Sequence, residues 1–279
     1  MWMTDMKKTA ILAGAAAVAG LYALAVRGRT GHPGLQALRG WRYAHRGLHG
    51  NGIPENSMAA FRAALDHGFG IELDVHLLKD GTLAIMHDHD LKRTTGLDGK
   101  IEDLTAEDLP NCFLEGTQET IPTFSQVLEL FDGKAPLIVE LKAISDNYAA
   151  LAEAACDLME NYHGVYCLES FDPRVVNWLK ENRPHLIRGQ LTENFVAGKG
   201  SLPMPVKIML TTQLENFLIQ PDFVAFKYVD RRNPGNFLAR RLWGIQGVTW
   251  TIKTPEDLAL AEKEGYIPIF EGFIPEGKA

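Results

Sequence analysis

The sequence predicts an α/β protein built as a (β/α)8 TIM barrel, with a small insertion after the second strand and a transmembrane helix ahead of it. Three observations carry the barrel. From Trp41 onward, short apolar runs alternate with amphipathic helical stretches, the order of a parallel sheet covered by helices. The alternation yields eight strand candidates in a chain of 279 residues, and one barrel domain typically uses about 250. Acidic, basic and histidine side chains gather at the carboxyl ends of the early strand candidates, where barrel active sites are built. A doubly wound open sheet is the alternative, because a count of strands does not close a ring.

At the amino end, Thr9 to Val26 carries no charge and is rich in Ala, Leu and Val, with Lys7 and Lys8 before it and Arg27 and Arg29 after it. A helix needs about 17–25 apolar residues to span a bilayer, and this stretch sits near the lower limit. It predicts a single-pass membrane anchor over residues 1–29. Ala23-Leu24-Ala25 has the small-residue pattern of a cleavage site, so a cleaved signal peptide competes with the anchor, and a buried helix is a third reading. The arginines that follow favour a cytoplasmic catalytic domain; the signal-like start favours the opposite side. Gly31, Pro33, Gly34 and Gly40 mark residues 30–40 as a linker, and the barrel domain is expected over 41–279.

Within that domain the strands are expected at 41–45, 70–78, 136–142, 165–171, 186–191, 223–228, 247–252 and 267–272. Asn56 or Ser57 can cap a helix over 58–67, with Gly68 as its stop, and Thr123 can cap 124–131. Residues 146–162 are amphipathic. Asp172-Pro173 and Thr254-Pro255 each pair a cap with a proline in the first helical position, leading into 174–182 and 256–264. Asp80-Gly81 between two apolar runs predicts a two-residue type I′ hairpin that pairs Lys79 with Thr82. Counting outward, Val75 then faces Met86 and Asp74 faces His87, and the pleat puts Glu72 on the face of Asp74. The polar, irregular stretch 89–120 is the expected insertion.

Composition narrows the function. Hydrophobic residues make up 46% of the chain, enough for a sizeable core. A net charge of -7 argues against a nucleic-acid partner. Cys112, Cys156 and Cys167 fit neither a zinc site nor a disulfide framework. No sequence feature fixes an oligomeric state.

The candidate chemistry lies at strand ends. His45 ends the first strand, Glu72 and Asp74 lie on the second, His87 returns on its hairpin, and Glu140 and Lys142 end the third. Three carboxylates at one mouth repel one another unless a cation sits between them. An oxygen-only ligand set without thiolate suits Mg2+ or Ca2+ better than zinc. Arg46 offers a planar fork for phosphate oxygens, and two imidazoles can divide proton removal and delivery. Taken singly, each has a duller reading. A strand-end histidine is often structural, Glu72 and Asp74 could be a solvated strand face, Glu140 and Lys142 a plain ion pair, and Phe171 and Trp250 core aromatics. Their clustering at one barrel end argues for a site.

The ordered motifs His45-Arg46-Gly47, Pro54-Glu55-Asn56-Ser57, Glu72-Leu73-Asp74-Val75, Asp80-Gly81, His87-Asp88, Arg93-Thr94-Thr95, Ile121-Pro122-Thr123 and Glu140-Leu141-Lys142 make the chain resemble the glycerophosphodiester phosphodiesterase family. The likeness runs from Trp41 to Lys142 and continues through Glu169-Ser170-Phe171 to Val248-Thr249-Trp250-Thr251. It implies a barrel with an insertion after its second strand and hydrolysis of a glycerophosphodiester to sn-glycerol 3-phosphate and an alcohol. It implies His45 and His87 as the acid–base pair and Glu72, Asp74 and Glu140 as ligands of Mg2+ or Ca2+. Arg46 and Lys142 would contact phosphate, Trp250 would line the substrate cleft with Phe171 beside it, and Glu55 and Asn56 would brace the site. One departure stands out. The family's last strand commonly reads Gly-Ile-Ile-Thr-Asp, then Arg-Pro; here it reads Pro268-Ile269-Phe270-Glu271-Gly272-Phe273. With the apolar amino end, a lysophospholipid is an expected substrate variant. The rivals are a phospholipase D-like or phosphoinositide-type phosphodiesterase, a metal-free glycosidase using Glu72 and Glu140, and a non-catalytic membrane-tethered barrel that binds phosphate or metal.

Overall fold

The computed structural model describes residues 2–198 and 200–276. Its strands are β1 (Tyr43–His45), β2 (Gly70–Leu77), β3 (Leu83–Ile85), β4 (Leu137–Leu141), β5 (Tyr166–Ser170), β6 (Arg188–Thr192), β7 (Phe223–Lys227), β8 (Gln246–Ile252) and β9 (Ile267–Phe270). All but β3 run parallel. β1 pairs with β9 on one side and with β2 on the other, which closes the ring and excludes an open doubly wound sheet. β3 is the antiparallel return arm of a hairpin from β2.

The longer helices are α1 (Trp2–Ala25), α2 (Met58–Asp66), α3 (Phe124–Phe131), α4 (Tyr148–Met159), α5 (Pro173–Asn182), α6 (Met204–Thr212), α7 (Pro234–Trp243) and α8 (Pro255–Lys263). The starts of α2, α3, α5 and α8 follow the capping rules. The Ser57 side chain accepts from the Ala60 N–H, Thr123 and Gln126 form a reciprocal capping box, and Asp172 and Thr254 accept from Arg174 and Asp257. One apolar layer lies between strands and helices around Phe61, Phe124, Phe131 and Val139. A second fills the barrel with Tyr43, Ile138, Phe223, Val248 and Ile269. Gly189 on β6 makes room for Phe223, because a β-carbon there would sit 2.1 Å from that ring.

Two expectations are corrected. The transmembrane helix is the first: among the described residues, no helix is long and apolar enough to cross a membrane. The uncharged stretch that ends at Val26 gives its last turns to the barrel. Tyr22 Oη donates to the Thr212 carbonyl (3.1 Å), Trp243 Nε1 donates to the Ala23 carbonyl (2.6 Å), and Val26 is fully buried. The charge-free part left over falls short of the roughly 17 residues a span requires. A single-pass membrane location is withdrawn with it. Residues beyond the helix are bound to the barrel too. Leu35 and Leu38 pack into its inner layer, and Arg29 makes a two-pronged bond to Asp222, with both contacts at 2.5 Å.

The hairpin register is the second correction. Leu78, not Lys79, closes the turn: its N–H donates to the Thr82 carbonyl (2.9 Å), and Gly81 sits at φ 88. This is a three-residue loop, so Val75 pairs with Ile85 rather than Met86. The Met86 N–H donates to the Asp74 carbonyl (3.0 Å), and the chain then leaves the ladder. His87 comes to the barrel mouth through that departure and not as a cross-strand partner of Asp74. The stretch after it winds through short helical turns around its own small core of Leu91, Ile101, Leu109 and Leu114.

Candidate active site

Strand register builds the site. His45 on β1 is level with Glu72 on β2. One level further out, Asp74, Glu140 and Glu169 stand side by side on β2, β4 and β5. Residues at the same level of a parallel ladder project to the same face, so all five side chains point into the barrel mouth. Carboxylate oxygens of Glu72, Asp74 and Glu140 lie within 4.8 Å of one another. Lys142, two residues beyond Glu140 on the same face, places Nζ 2.9 Å from both Asp74 Oδ1 and Glu140 Oε2.

The charge balance follows from this crowding. Burial pushes the Glu72 carboxyl well above its ordinary range, and neighbouring Asp74, Glu140 and Glu169 push it further. Burial also raises Glu140, which Lys142 only partly offsets, leaving it at about 7. Asp74 goes the other way. Burial opposes its ionisation, but Lys142, His87 and Arg46 outweigh that and hold it far below the usual carboxylate range. Glu169 is raised by burial and by Glu140, and its Oε2 has no hydrogen-bond partner. Protein cations thus satisfy one acid of the cluster and leave the others short of positive charge. A divalent cation fits that deficit and the all-oxygen donor set.

The loop after β1 supplies the basic edge. Arg46 and Asn56 both adopt positive φ, at 54° and 53°. Left-handed backbone is uncommon outside glycine, and such residues concentrate at functional sites. The Arg46 N–H donates to Glu72 Oε2 (3.2 Å), its guanidinium donates to Glu55 (2.9 Å), and Asn56 Nδ2 donates to Asp74 Oδ2 (2.8 Å). Arg93 grips Glu55 from the other side (2.7 Å) and also pairs with Asp88.

Each histidine leans on a carboxylate. His45 Nδ1 bonds Glu271 Oε2 at 2.6 Å while its Nε2 lies 3.9 Å from Glu72. His87 Nδ1 bonds Asp88 Oδ1 at 2.7 Å. Burial lowers both imidazoles below the usual range; Glu271 and Asp88 pull the other way. The bond from His45 holds Glu271 at about 2. His45, Arg46, Glu72, His87, Glu140, Glu169 and Glu271 border a cavity of about 470 Å3, whose wall also carries the apolar side chains of Phe171, Leu191, Trp250 and Ile269. Phe171 packs edge-on against Trp250, with ring centroids 5.8 Å apart.

The structure therefore brings His45, Arg46, Glu72, His87, Glu140, Phe171 and Trp250 to one cavity, with Asp74, Lys142, Glu55 and Asn56 directly behind. Sequence reasoning gave no site role to Glu169, Asp88 or Glu271. A strand-end carboxylate was the available signal for Glu169. Glu271 appeared only as part of an unusual last strand, and its approach to His45 depends on β1 and β9 becoming neighbours by ring closure.

This is a closed α/β barrel with a buried acidic cluster framed by two carboxylate-tethered histidines. The glycerophosphoryl diester phosphodiesterase family model matches residues 45–274, and the chain belongs to that family. A glycerophosphodiester phosphodiesterase from Bacillus altitudinis is 42% identical over 129 residues, which is 43% of this chain and 52% of that protein. The rat lysophospholipase D GDPD1 is 33% identical over 132 residues, 43% of this chain and 40% of that protein. The chain thus spans about half the length, or less, of these two relatives. Among solved structures, a phosphodiesterase from Oleispira antarctica in complex with the product sn-glycerol-3-phosphate superposes with a TM-score of 0.69 at 23% identity, covering 87% of this chain and 95% of that one.

Proposed function

We propose that this chain hydrolyses glycerophosphodiesters to sn-glycerol 3-phosphate and an alcohol, with His45 and His87 as the acid–base pair and Mg2+ or Ca2+ held by Glu72, Asp74 and Glu140. The observation that carries the reading is the carboxylate cluster lying between two imidazoles at one cavity, within a chain that belongs to this family. When bound, a divalent ion supplies positive charge to a phosphoryl oxygen. Arg46 stands at the same rim and can pair with a second phosphate oxygen. Lys142 holds Asp74 and Glu140 in place and adds positive charge where the phosphate charge grows. The carboxylates of Glu271 and Asp88 occupy the Nδ1 side of the two rings, which leaves each Nε2 for proton transfer. One imidazole takes the proton of the attacking hydroxyl and the other delivers one to the leaving alkoxide. Attack by water and attack by the substrate's own neighbouring hydroxyl, through a cyclic phosphate, use the same pair.

A second cavity, of about 510 Å3, shares His87, Glu140 and Phe171 with the first and runs along Phe195, Leu202, Val206, Met209 and Leu210. This apolar extension favours a lysophospholipid, whose single chain would lie along it, as a substrate variant.

The test is a panel of glycerophosphodiesters and lysophospholipids assayed for glycerol 3-phosphate or its acylated analogue, with and without chelator. His45→Ala and His87→Ala should each lower kcat by at least about 10²-fold, and chelation should abolish turnover reversibly. Parent-like activity in both variants, or activity indifferent to chelation, would refute the assignment.

A further inference from the structure

The departure in the last strand leads to a second site. Glu271 reaches across from the end of β9 to His45, and a third donor stands beside them. One ligand atom each from His45, His49 and Glu271 lies within 4.8 Å of the other two. His49 arrives there because the chain doubles back after β1. Arg46 and Gly47 both take positive φ, and the His49 N–H bonds the Gly47 carbonyl at 3.0 Å. A β-carbon on Gly47 would sit 2.8 Å from that of Ala60, so glycine lets this turn lie flat on α2. His49 is half-buried, yet its Nε2 is shielded from solvent and has no hydrogen-bond partner. A shielded imidazole nitrogen without a partner is an unmet donor or acceptor.

We propose that His45, His49 and Glu271 form a binding site for a first-row transition ion of the zinc type, and that filling it switches the catalytic pair off. Two imidazoles and one carboxylate are a donor set found around zinc with one position left open. The neighbouring cluster of Glu72, Asp74 and Glu140 offers oxygen alone and suits a harder ion. The ion would take the place of the proton in the 2.6 Å bond between His45 Nδ1 and Glu271 Oε2. Metal–donor distances of about 2.0–2.2 Å require those two atoms to part to roughly 3 Å. In the neutral ring the displaced proton moves to His45 Nε2, and binding weakens as pH falls because the ion competes with protonation of the donors. Lys253 Nζ, 3.3 Å from Glu271 Oε1, opposes the ion, whereas Glu72, 3.9 Å from His45 Nε2, favours it. With the ion on Nδ1, Nε2 carries a proton far less acidic than that of an imidazolium, so the ring can neither take a proton from the attacking hydroxyl nor deliver one to the leaving alkoxide.

The switch rests on the acid–base reading given above; the binding site does not. Its test uses the full chain with Mg2+ in excess and Co2+ alone as the probe. Co2+ should give visible ligand-field absorption in the parent, and affinity should fall by at least about tenfold in both His49→Ala and His49→Gln. A Co2+ spectrum and affinity unchanged in both variants would overturn the site. In turnover assays at fixed Mg2+, Zn2+ should inhibit the parent, and both variants should keep basal turnover while needing at least about tenfold more Zn2+ for the same inhibition. Co2+ bound through His49 with Zn2+ leaving parent turnover untouched would overturn the switch. A chain that hydrolyses none of the panel would refute the proposed function, and the cobalt spectra would still decide the site.

Discussion

Glu215 offers the sharpest physical test of how α1 is held. Its side chain is 4% exposed, both carboxylate oxygens lack hydrogen-bond partners, and burial pushes its pKa from the ordinary 4.5 up to about 7. It lies where the amino-terminal helix docks: its charge bears on Tyr22, and the adjacent Asn216 bonds the Val26 carbonyl. Folding therefore traps a proton there that the unfolded chain releases near pH 4.5. Stability from this group is intact below about 4.5 and is lost as pH rises towards 7, where the folded carboxyl also ionises. At about 1.4 kcal/mol per pH unit between the two pKa values, the loss above pH 7 is about 3 kcal/mol. Glu215→Gln has the same shape and no charge. Its stability relative to the parent should be near zero at pH 4.5 and grow to about 3 kcal/mol by pH 8, or roughly 5–10 °C in Tm for a domain of this size. Urea denaturation of both proteins at several pH values reads the difference directly. A stability difference that does not change with pH, or a variant less stable at pH 8, would refute the reasoning.

Three further outcomes follow from the geometry. Arg29→Ala leaves the buried Asp222 without its two-pronged partner and should cost about 3–5 kcal/mol in thermal unfolding, with part of that recovered in the double variant Arg29→Ala/Asp222→Asn. Gly189→Ala drives a methyl into the Phe223 ring inside the barrel and should cost about 1–3 kcal/mol by the same measurement. Glu271→Gln removes a carboxylate that raises the His45 pKa, so the acid limb of kcat/KM should move to lower pH, with kcat reduced by about 10–10²-fold; an unmoved acid limb would show that Glu271 is only a structural contact.

The parts of this fold that sequence made legible are those set by short-range chemistry. Caps at Ser57, Thr123, Asp172 and Thr254 act within one helical turn, and all four make the expected hydrogen bonds. Strand alternation likewise puts Glu72 and Asp74 on one face, because a period of two needs no knowledge of the neighbours. Local rules failed where two conformations compete closely. Asp80-Gly81 serves a two-residue hairpin and a three-residue one equally well, and the protein uses the second, with Gly81 at positive φ and Leu78 closing the loop.

The unforeseen site features share a different cause. Glu271 and His45 are separated by nearly the whole barrel sequence and meet only because β9 closes onto β1. The cluster's charge deficit depends on how Asp74, Glu140 and Glu169 line up across three strands, which is fixed by register and not by any single strand. The amino-terminal stretch makes the same point about energy. Its hydropathy describes a helix that prefers apolar surroundings, and the barrel supplies part of them where Tyr22 and Val26 join the outer core with Trp243 and Ile245. Apolar composition sets how much surface must be covered, while the neighbour that covers it is chosen by tertiary contacts, so an uncharged run at the lower limit of a bilayer span suits a barrel flank as well as a membrane.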